Sequence, residues 1–177
     1  MTHKKLGLLD VAFIGVWAAM IFAVKVVLAP VAIVELVSLL LCAFTAVMGL
    51  KRGFLCSLVF TTLTVFESAY YGAGDWIALY YIDWPLLTVL TRILLGEWQN
   101  EFKAATLLGL FGLLFDVPSA GIKLLLFGPV YALTYLVSGI PFDLVHGAAN
   151  FVSALFLYRP CCSVLCKVRK KMLEHGP

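Results

Sequence analysis

The chain has 177 residues, 63% of them hydrophobic and 13% charged, and a formal net charge of +3 at neutral pH. Soluble domains carry about 25% charged and about 45–50% apolar residues, so this composition excludes an ordinary soluble domain. It predicts an integral membrane protein that contacts the lipid bilayer and no nucleic acid.

Apolar stretches of membrane-spanning length follow one another along the chain. A spanning helix needs roughly 20 mostly apolar residues. By that measure the sequence predicts six spans, at Leu9–Leu28, Val31–Leu50, Gly53–Tyr71, Trp76–Leu95, Ala104–Phe127 and Pro141–Leu165. The connectors are too short to fold by themselves, so we expect one all-α domain over residues 1–177, a six-transmembrane-helix bundle. No small-residue cleavage site follows the first span, which we therefore expect to remain as a helix.

The basic residues indicate how these spans cross the membrane. Eleven of the thirteen Lys and Arg residues fall at the N-terminus, in alternate connectors and in the C-terminal tail. They are Lys4, Lys5, Lys51, Arg52, Arg92, Lys103, Arg159, Lys167, Arg169, Lys170 and Lys171. With six spans, all eleven lie on one side of the membrane. Because cytoplasmic loops carry the excess of Lys and Arg, both termini are predicted to be cytoplasmic.

Ionisable residues inside the predicted spans gather toward the side that lacks basic loops. Those in the outer half are Glu35, Glu67, Asp83, Asp143, Lys25 and Lys123, with Asp116 nearer the middle of span five. Intramembrane charges face the bundle interior or a water-filled cavity, and they mark functional sites by default. The sequence therefore predicts a polar cavity open to the outside. Structural ion pairs, such as Lys123 with Asp116 or Asp143, are the alternative interpretation.

Aromatic residues crowd the same level of the predicted bundle. They are Tyr70, Tyr71, Trp76, Tyr80, Tyr81, Trp84, Tyr131 and Tyr135. An aromatic belt at the membrane–water interface is one explanation, and contact with a ligand is the other. A belt alone does not explain why charged residues of at least five spans converge at this depth.

Span six carries a row of polar residues at its outer start. Asp143, His146 and Asn150 are spaced by three and four, which places them on one helix face. We expect this face to line a pocket, with capping of the helix as the alternative. Pro141 is predicted in the first helical turn. The uncharged stretch Gly128–Gly139 before it is predicted to form a lid or a re-entrant segment.

Motifs of enzymes and of metal sites are missing from the sequence. There is no phosphate-binding loop and no H-E-x-x-H motif, and no G-x-S-x-G nucleophile elbow. Cys161, Cys162 and Cys166 lack the paired C-x-x-C spacing of zinc sites. We therefore expect no enzymatic activity, no bound metal and no cofactor of the chain's own. Uphill transport would need ion coupling or a partner that hydrolyses ATP.

Several segments resemble the substrate-binding S component of energy-coupling factor (ECF) vitamin transporters. The segments are GIPFDLVHGAANF at Gly139–Phe151, ELVS at Glu35–Ser38, GLKRG at Gly49–Gly53 and YGAGDW at Tyr71–Trp76, followed by Trp84. Members of that family are six-helix bundles of this size with cytoplasmic termini. The combination is most similar to the cobalamin-specific branch. The chain departs from it in the Val-Ala-Ile-Val stretch before Glu35 and in Asp116-Val-Pro118, which we expect to bend helix five.

The resemblance implies that the outer cavity holds a vitamin, with cobalamin (vitamin B12) as the expected ligand. The implied substrate-binding residues are Glu35, Glu67, Trp76, Tyr80, Asp83, Trp84, Asp143, His146 and Asn150. Ala19 and Ala23 match the alanine motif by which S components dock on a membrane scaffold (T) subunit, which works with two ABC-type ATPases. The implied location is the bacterial cell membrane. The implied mechanism is capture outside, followed by toppling of the whole bundle.

Three other functions stay open from the sequence. The vitamin is alternatively a pterin, a flavin, pantothenate or a pyrimidine. A stand-alone secondary transporter would use Lys25, Glu67 or Asp116 as a proton relay. An intramembrane enzyme would use Asp143 and His146 as an acid/base pair, although no nucleophile or metal ligand set accompanies them in the sequence.

Overall fold

The computed structural model describes residues 6–30, 35–96 and 100–175, and within these ranges it contains helices and no strand. The helices are α1 (Leu8–Leu28), α2 (Val37–Met48), α3 (Leu50–Thr64), α4 (Ser68–Tyr71), α5 (Asp75–Leu94), α6 (Glu101–Leu113), α7 (Asp116–Phe127) and α8 (Pro129–His175). A 3₁₀ turn at Val65–Glu67 joins α3 to α4. The all-α class predicted from the sequence is confirmed.

Five helical stretches are long and apolar enough to cross a membrane. They are Leu8–Leu28, Leu50–Tyr70, Asp75–Leu94, Glu101–Phe127 and Pro129–Glu174. Each corresponds to one of the six predicted spans. The second predicted span has no counterpart among these five stretches, because the helix within it, α2, has only 12 residues. At 1.5 Å per residue it is about 18 Å long, against about 30 Å for the hydrocarbon core. Residues 31–34 of that predicted span lie outside the described residues.

The short helix α2 is the central element of the bundle. All residues from Val37 to Met48 are buried, because α1, α3, α5, α6 and α8 all pack against it. A helix that is apolar on every side is stable only when it is surrounded in this way. Its hydroxyl groups are satisfied locally, as where Thr45 Oγ1 donates to the Leu41 carbonyl at 2.7 Å. The core of the protein is therefore built outward from α2.

Ion pairs and hydrogen bonds show how the helices alternate in direction. Arg52 binds Asp10 and so joins the starts of α3 and α1, and Arg159 binds Glu101 at the start of α6. Arg169 donates to the Val47 carbonyl near the end of α2. We call the end of the bundle that contains these three arginine contacts the basic end. The opposite end contains the ends of α1 and α7 and the start of α5.

The helices α6 and α7 form one antiparallel hairpin with α8, which turns at Gly128 (φ +86°). Glycines allow α6 and α8 to approach closely. A Cβ on Gly112 would lie 2.8 Å from the Gly147 Cα, and one on Gly109 would lie 3.2 Å from the Phe151 Cβ. Small residues at such crossings let two backbones pack together in lipid. This hairpin holds one wall of the cavity described below.

Two predictions about this region are wrong. The stretch Gly128–Gly139 is no irregular lid, because α8 begins at Pro129 and packs against α7. Pro141 accordingly lies inside α8, beyond its first turn. The expected interruption at Asp116–Pro118 is present: α6 ends at Leu113 and α7 begins at Asp116. Pro118 stands in the first turn of α7, where its missing N–H costs no helical hydrogen bond.

The close approach of α6 and α8 predicts a specific sensitivity to an added methyl group. We expect Gly112→Ala to lower the free energy of unfolding by about 1–3 kcal/mol, because the methyl overpacks the Gly147 backbone. Gly121→Ala is the matched control, since a Cβ there meets nothing within 4 Å. It should stabilise α7 by up to about 1 kcal/mol. Unfolding in mixed detergent micelles, followed by circular dichroism, measures both; equal effects would contradict the close approach.

Candidate functional site

A cavity of about 350 Å³ opens between α5, α7 and α8 at the end opposite the basic end. Its lining combines aromatic rings with three carboxylates and one ammonium group. The residues are Asp75, Trp76, Leu79, Tyr80, Asp83, Phe115, Asp116, Ser119, Lys123, Tyr135 and Phe142. The cavity lies at the end of the bundle where the sequence predicted a polar site.

Helical periodicity explains which residues reach the cavity. On α5, Asp75, Leu79 and Asp83 follow at intervals of four residues, so they share one face. On α7, intervals of three and four residues place Asp116, Ser119 and Lys123 on one face. The two helices run antiparallel, which pairs the start of α5 with the end of α7 at the mouth. Asp83 and Asp116 consequently lie at the deep end.

The mouth of the cavity is held by an ion pair between α5 and α7. The Lys123 ammonium binds the Asp75 carboxylate, and the exposed fractions of the two side chains are 8% and 51%. The same ammonium lies 4.5 Å from the centroid of the Tyr135 ring of α8. Lys123 thus joins three helices through one charge, while Asp75 faces the solvent. The sequence-based pairing of Lys123 with Asp116 or Asp143 is wrong, because Asp75 takes that place.

The two carboxylates at the deep end of the cavity have no salt-bridge partner among the described residues. Tyr135 donates its hydroxyl to Asp116 Oδ1 at 3.0 Å. Asp83 is only 2% exposed, and its Oδ2 has no hydrogen-bond partner among the described residues. Below it Trp84 closes the cavity, with ring centroids 5.6 Å from both Tyr80 and Phe115. An unpaired buried oxygen of this kind costs free energy unless a ligand or water satisfies it.

A second polar cluster lies behind the aromatic wall, between α2 and α8. Glu35 Oε1 is 3.1 Å from His146 Nε2 and accepts from Ser38 at 2.9 Å. Asn150 Nδ2 is 3.4 Å from Ser38 Oγ. The His146 ring contacts Phe115 at 5.0 Å between centroids, and Phe115 lines the cavity on its other side. The cluster therefore supports the cavity wall rather than lying open to it.

Asp143 connects the two polar regions. It is buried, its carboxylate interacts electrostatically with Asp116 and His146, and its Oδ1 lacks a hydrogen-bond partner in the part of the chain that the structure describes. His146 Nδ1 and Asn150 Oδ1 are likewise without a partner there. The three residues share one face of α8, as their spacing predicted, but that face is buried against Glu35, Ser38 and Asp116 and does not line the cavity.

The structure separates the nine predicted substrate-binding residues into groups. Trp76, Tyr80 and Asp83 line the cavity. Trp84 is 1% exposed and lies directly beneath the cavity, where it forms the floor. The other residues do not line the cavity: Glu35, Asp143, His146 and Asn150 belong to the second cluster, and Glu67 pairs with Lys25.

Glu67 has a structural partner outside the cavity. Its carboxylate binds the Lys25 ammonium, so the pair ties the end of α1 to the end of α3. Lys25 Nζ also lies 5.5 Å from the centroid of the Tyr80 ring. Both charges are thereby engaged with one another, and neither residue is among those that line the cavity. The predicted docking residues Ala19 and Ala23 are both exposed on α1.

Five cavity residues escaped the sequence analysis: Asp75, Leu79, Phe115, Ser119 and Phe142. Asp116 and Lys123 were named there only as intramembrane charges, and Tyr135 as a residue of a belt or a ligand contact. Spacing by three and four from Asp83 points to Asp75 and Leu79, and from Asp116 to Ser119 and Lys123. No comparable signal identifies Phe142, because its inclusion depends on how α8 is rotated against α7.

No group of His, Cys, Asp and Glu side chains in the described ranges is arranged to hold a metal ion. No protein family, curated protein or solved structure matches this chain. The chemistry that the lining offers is that of aromatic surface together with hydrogen-bond acceptors.

We expect removal of the Lys25–Glu67 ion pair to destabilise the protein without weakening ligand binding. Glu67→Gln leaves a mostly buried ammonium unpaired, which should cost about 1.5–3 kcal/mol of unfolding free energy. The double variant Lys25→Met/Glu67→Gln should recover most of that loss. Glu101→Gln removes the exposed pair with Arg159 and should cost under about 1 kcal/mol. Unfolding in mixed micelles measures all three, and weaker ligand binding by Glu67→Gln would return Glu67 to the binding site.

Proposed function

We propose that the chain is the substrate-binding S component of an ECF vitamin importer in a bacterial cell membrane. The observation that supports this function best is the shape of the cavity. It opens at the end of the bundle opposite the basic end, and Trp84 and Phe115 close it toward the basic end. A cavity open at one end suits a protein that captures a ligand on one side of the membrane and needs partners to release it on the other.

Charge supports the orientation that this proposal needs. The excess of Lys and Arg at the basic end favours a cytoplasmic position for that end, with both termini inside. The cavity then faces the exterior. Toward the basic end, the core of the described residues contains buried Ser and Thr hydroxyls but no buried charged side chain. This arrangement offers no polar exit path for a vitamin within the bundle.

The transport cycle would depend on other subunits. The sequence has no phosphate-binding loop, so a pair of ABC-type ATPases and a membrane scaffold (T) subunit would supply the energy and the docking surface. Ala19 and Ala23 lie exposed on α1, as does Val16 one turn earlier. Small side chains on one helix face permit close approach by a partner helix. Toppling of the bundle against the scaffold would carry the cavity toward the cytoplasm.

The cavity volume bears on the identity of the vitamin. Pockets for drug-sized ligands occupy about 300–1,000 Å³, and this one has about 350 Å³. A flat heteroaromatic vitamin or precursor, such as a pyrimidine or a pterin, suits that volume. Cobalamin, the ligand expected from the resemblance, stays a prediction; its corrin ring would require α5, α7 and α8 to move apart.

A stand-alone secondary transporter is the second candidate. The interruption between α6 and α7 favours it, because broken helices commonly form substrate sites in such transporters. The pairing of Lys25 with Glu67 counts against those two residues as a free proton relay. Uptake of a vitamin into liposomes that contain only this chain would establish this candidate and reject the S-component proposal.

The ligand is identified most directly from protein purified in mild detergent. We expect native mass spectrometry to detect one small heteroaromatic compound per chain, because a lined cavity with unpaired polar atoms retains its ligand. The absorbance spectrum distinguishes a corrinoid, a flavin and a pterin. A bound corrinoid would support cobalamin and show that the cavity expands. Protein that takes up none of these vitamins on titration would contradict the proposed function.

Docking through α1 predicts a separation of binding from uptake. Ala19→Trp should reduce vitamin uptake at least tenfold in cells that carry the scaffold and ATPases, because the indole prevents close helix approach. Ligand binding by the purified variant should be unchanged. Ala148→Trp is the matched control, since Ala148 is an exposed alanine on α8, and it should leave uptake intact. Equal uptake by the two variants would contradict docking at α1.

A further inference from the structure

The charges at the cavity end of the bundle do not balance. Lys25 is paired with Glu67, Lys123 with Asp75, and His146 with Glu35. Three further carboxylates belong to the same region, and none of them forms a salt bridge within the described part of the chain. They are Asp83, Asp116 and Asp143. Lys25 and Lys123 each already have an acidic partner, so the described residues leave no lysine to pair with these three carboxylates.

Asp83 shows this excess most clearly. It is 2% exposed, it lines the cavity, and its Oδ2 has no hydrogen-bond partner among the described residues. Asp116 lines the same cavity and interacts with Asp83 electrostatically. An ionised carboxylate buried without a counter-charge is strongly unfavourable. A positive group in the cavity would remove that cost for both carboxylates.

The remaining wall of the cavity is aromatic. Trp76 and Tyr80 contact edge to face at 5.5 Å between centroids, and Tyr80 lies 6.4 Å from Phe115. Aromatic faces carry partial negative charge and attract cations, and they stack against the flat ring of a ligand. The wall and the carboxylates therefore favour the same kind of molecule.

We propose that this cavity binds a cationic aromatic compound, with its protonated amine or amidinium group at Asp83 and Asp116 and its ring against Tyr80 and Phe115. The inference rests on the proposed function only in taking the cavity as the ligand site. An anion is disfavoured because Asp75 neutralises Lys123 at the mouth. The inference also explains why Asp83 is a carboxylate at a depth where an apolar residue would cost less.

Three indoles of similar size and different charge test the inference on the full-length protein in nanodiscs. Tryptamine is a cation, tryptophol is neutral and indole-3-acetate is an anion at neutral pH. We expect isothermal titration calorimetry to give affinities in that order, with tryptamine at least about tenfold tighter than tryptophol. An equal or tighter affinity for the anion would overturn the inference, and so would a failure of tryptamine to bind at millimolar concentration.

Variants test where the positive group of the ligand lies within the cavity. Asp83→Asn should weaken tryptamine binding about tenfold or more and leave tryptophol binding nearly unchanged, because only a charge-assisted hydrogen bond is lost. Glu101→Gln is the control, since Glu101 lies at the basic end and pairs with Arg159. Circular dichroism checks that each variant is folded. If Asp83→Asn does not fold, the order of the three indole affinities on the unchanged protein still tests the inference. Unchanged tryptamine affinity in folded Asp83→Asn would overturn the inference.

The outcome is separable from that of the proposed function. Preference for tryptamine together with uptake by the chain alone would retain the cationic site and reject the S component. Uptake that requires a scaffold and ATPases, together with preference for indole-3-acetate, would retain the S component and reject the cationic site.

Discussion

A charged side chain placed within a bilayer must pair with another charge, reach water or bind a ligand, because hydrocarbon solvates it so poorly. This constraint organises the outer end of the protein. Lys25 with Glu67 and Lys123 with Asp75 tie α1 to α3 and α5 to α7. Asp83 and Asp116, which have no salt-bridge partner among the described residues, both line the cavity whose mouth Lys123 and Asp75 hold. Structural pairing and the candidate binding site are thus two results of the same requirement.

Helix packing supplies the frame on which that requirement acts. The buried helix α2 contacts five of the other helices, so the bundle forms around it. Glu35, just before the start of α2, contacts His146 of α8. His146 lies directly behind Phe115 in the cavity wall. The hairpin of α6, α7 and α8 depends on Gly112 and Gly147, which allow two backbones to touch. The break at Leu114–Phe115 then turns Phe115 and Asp116 toward the cavity, so a local interruption of the helix becomes part of the site.

The sequence analysis was strongest where a residue's environment depends on its near neighbours. Helix content, the five long spans and the side on which polar residues gather all follow from hydropathy and charge along the chain. Spacing also grouped Asp143, His146 and Asn150 correctly on one face. The errors concern partners: Lys123 binds Asp75, and Gly128–Gly139 is mostly helix paired with α7. The lack of charge in that stretch favoured a lid or a re-entrant segment, but the contact with α7 that stabilises the helix is remote in sequence.

By itself, the sequence determined an all-helical membrane protein with basic residues at one end and acids toward the other, because hydrophobicity and periodicity are properties of short segments. Only the tertiary structure decided that α2 is enclosed and that Glu67 belongs to Lys25. It also decided that Asp83 faces a cavity with one oxygen unpaired. These outcomes depend on the rotation and separation of helices that are distant along the chain. Rotation of α5 about its axis would carry Asp83 from the cavity into the packed interface, and no local pattern in the sequence specifies that angle.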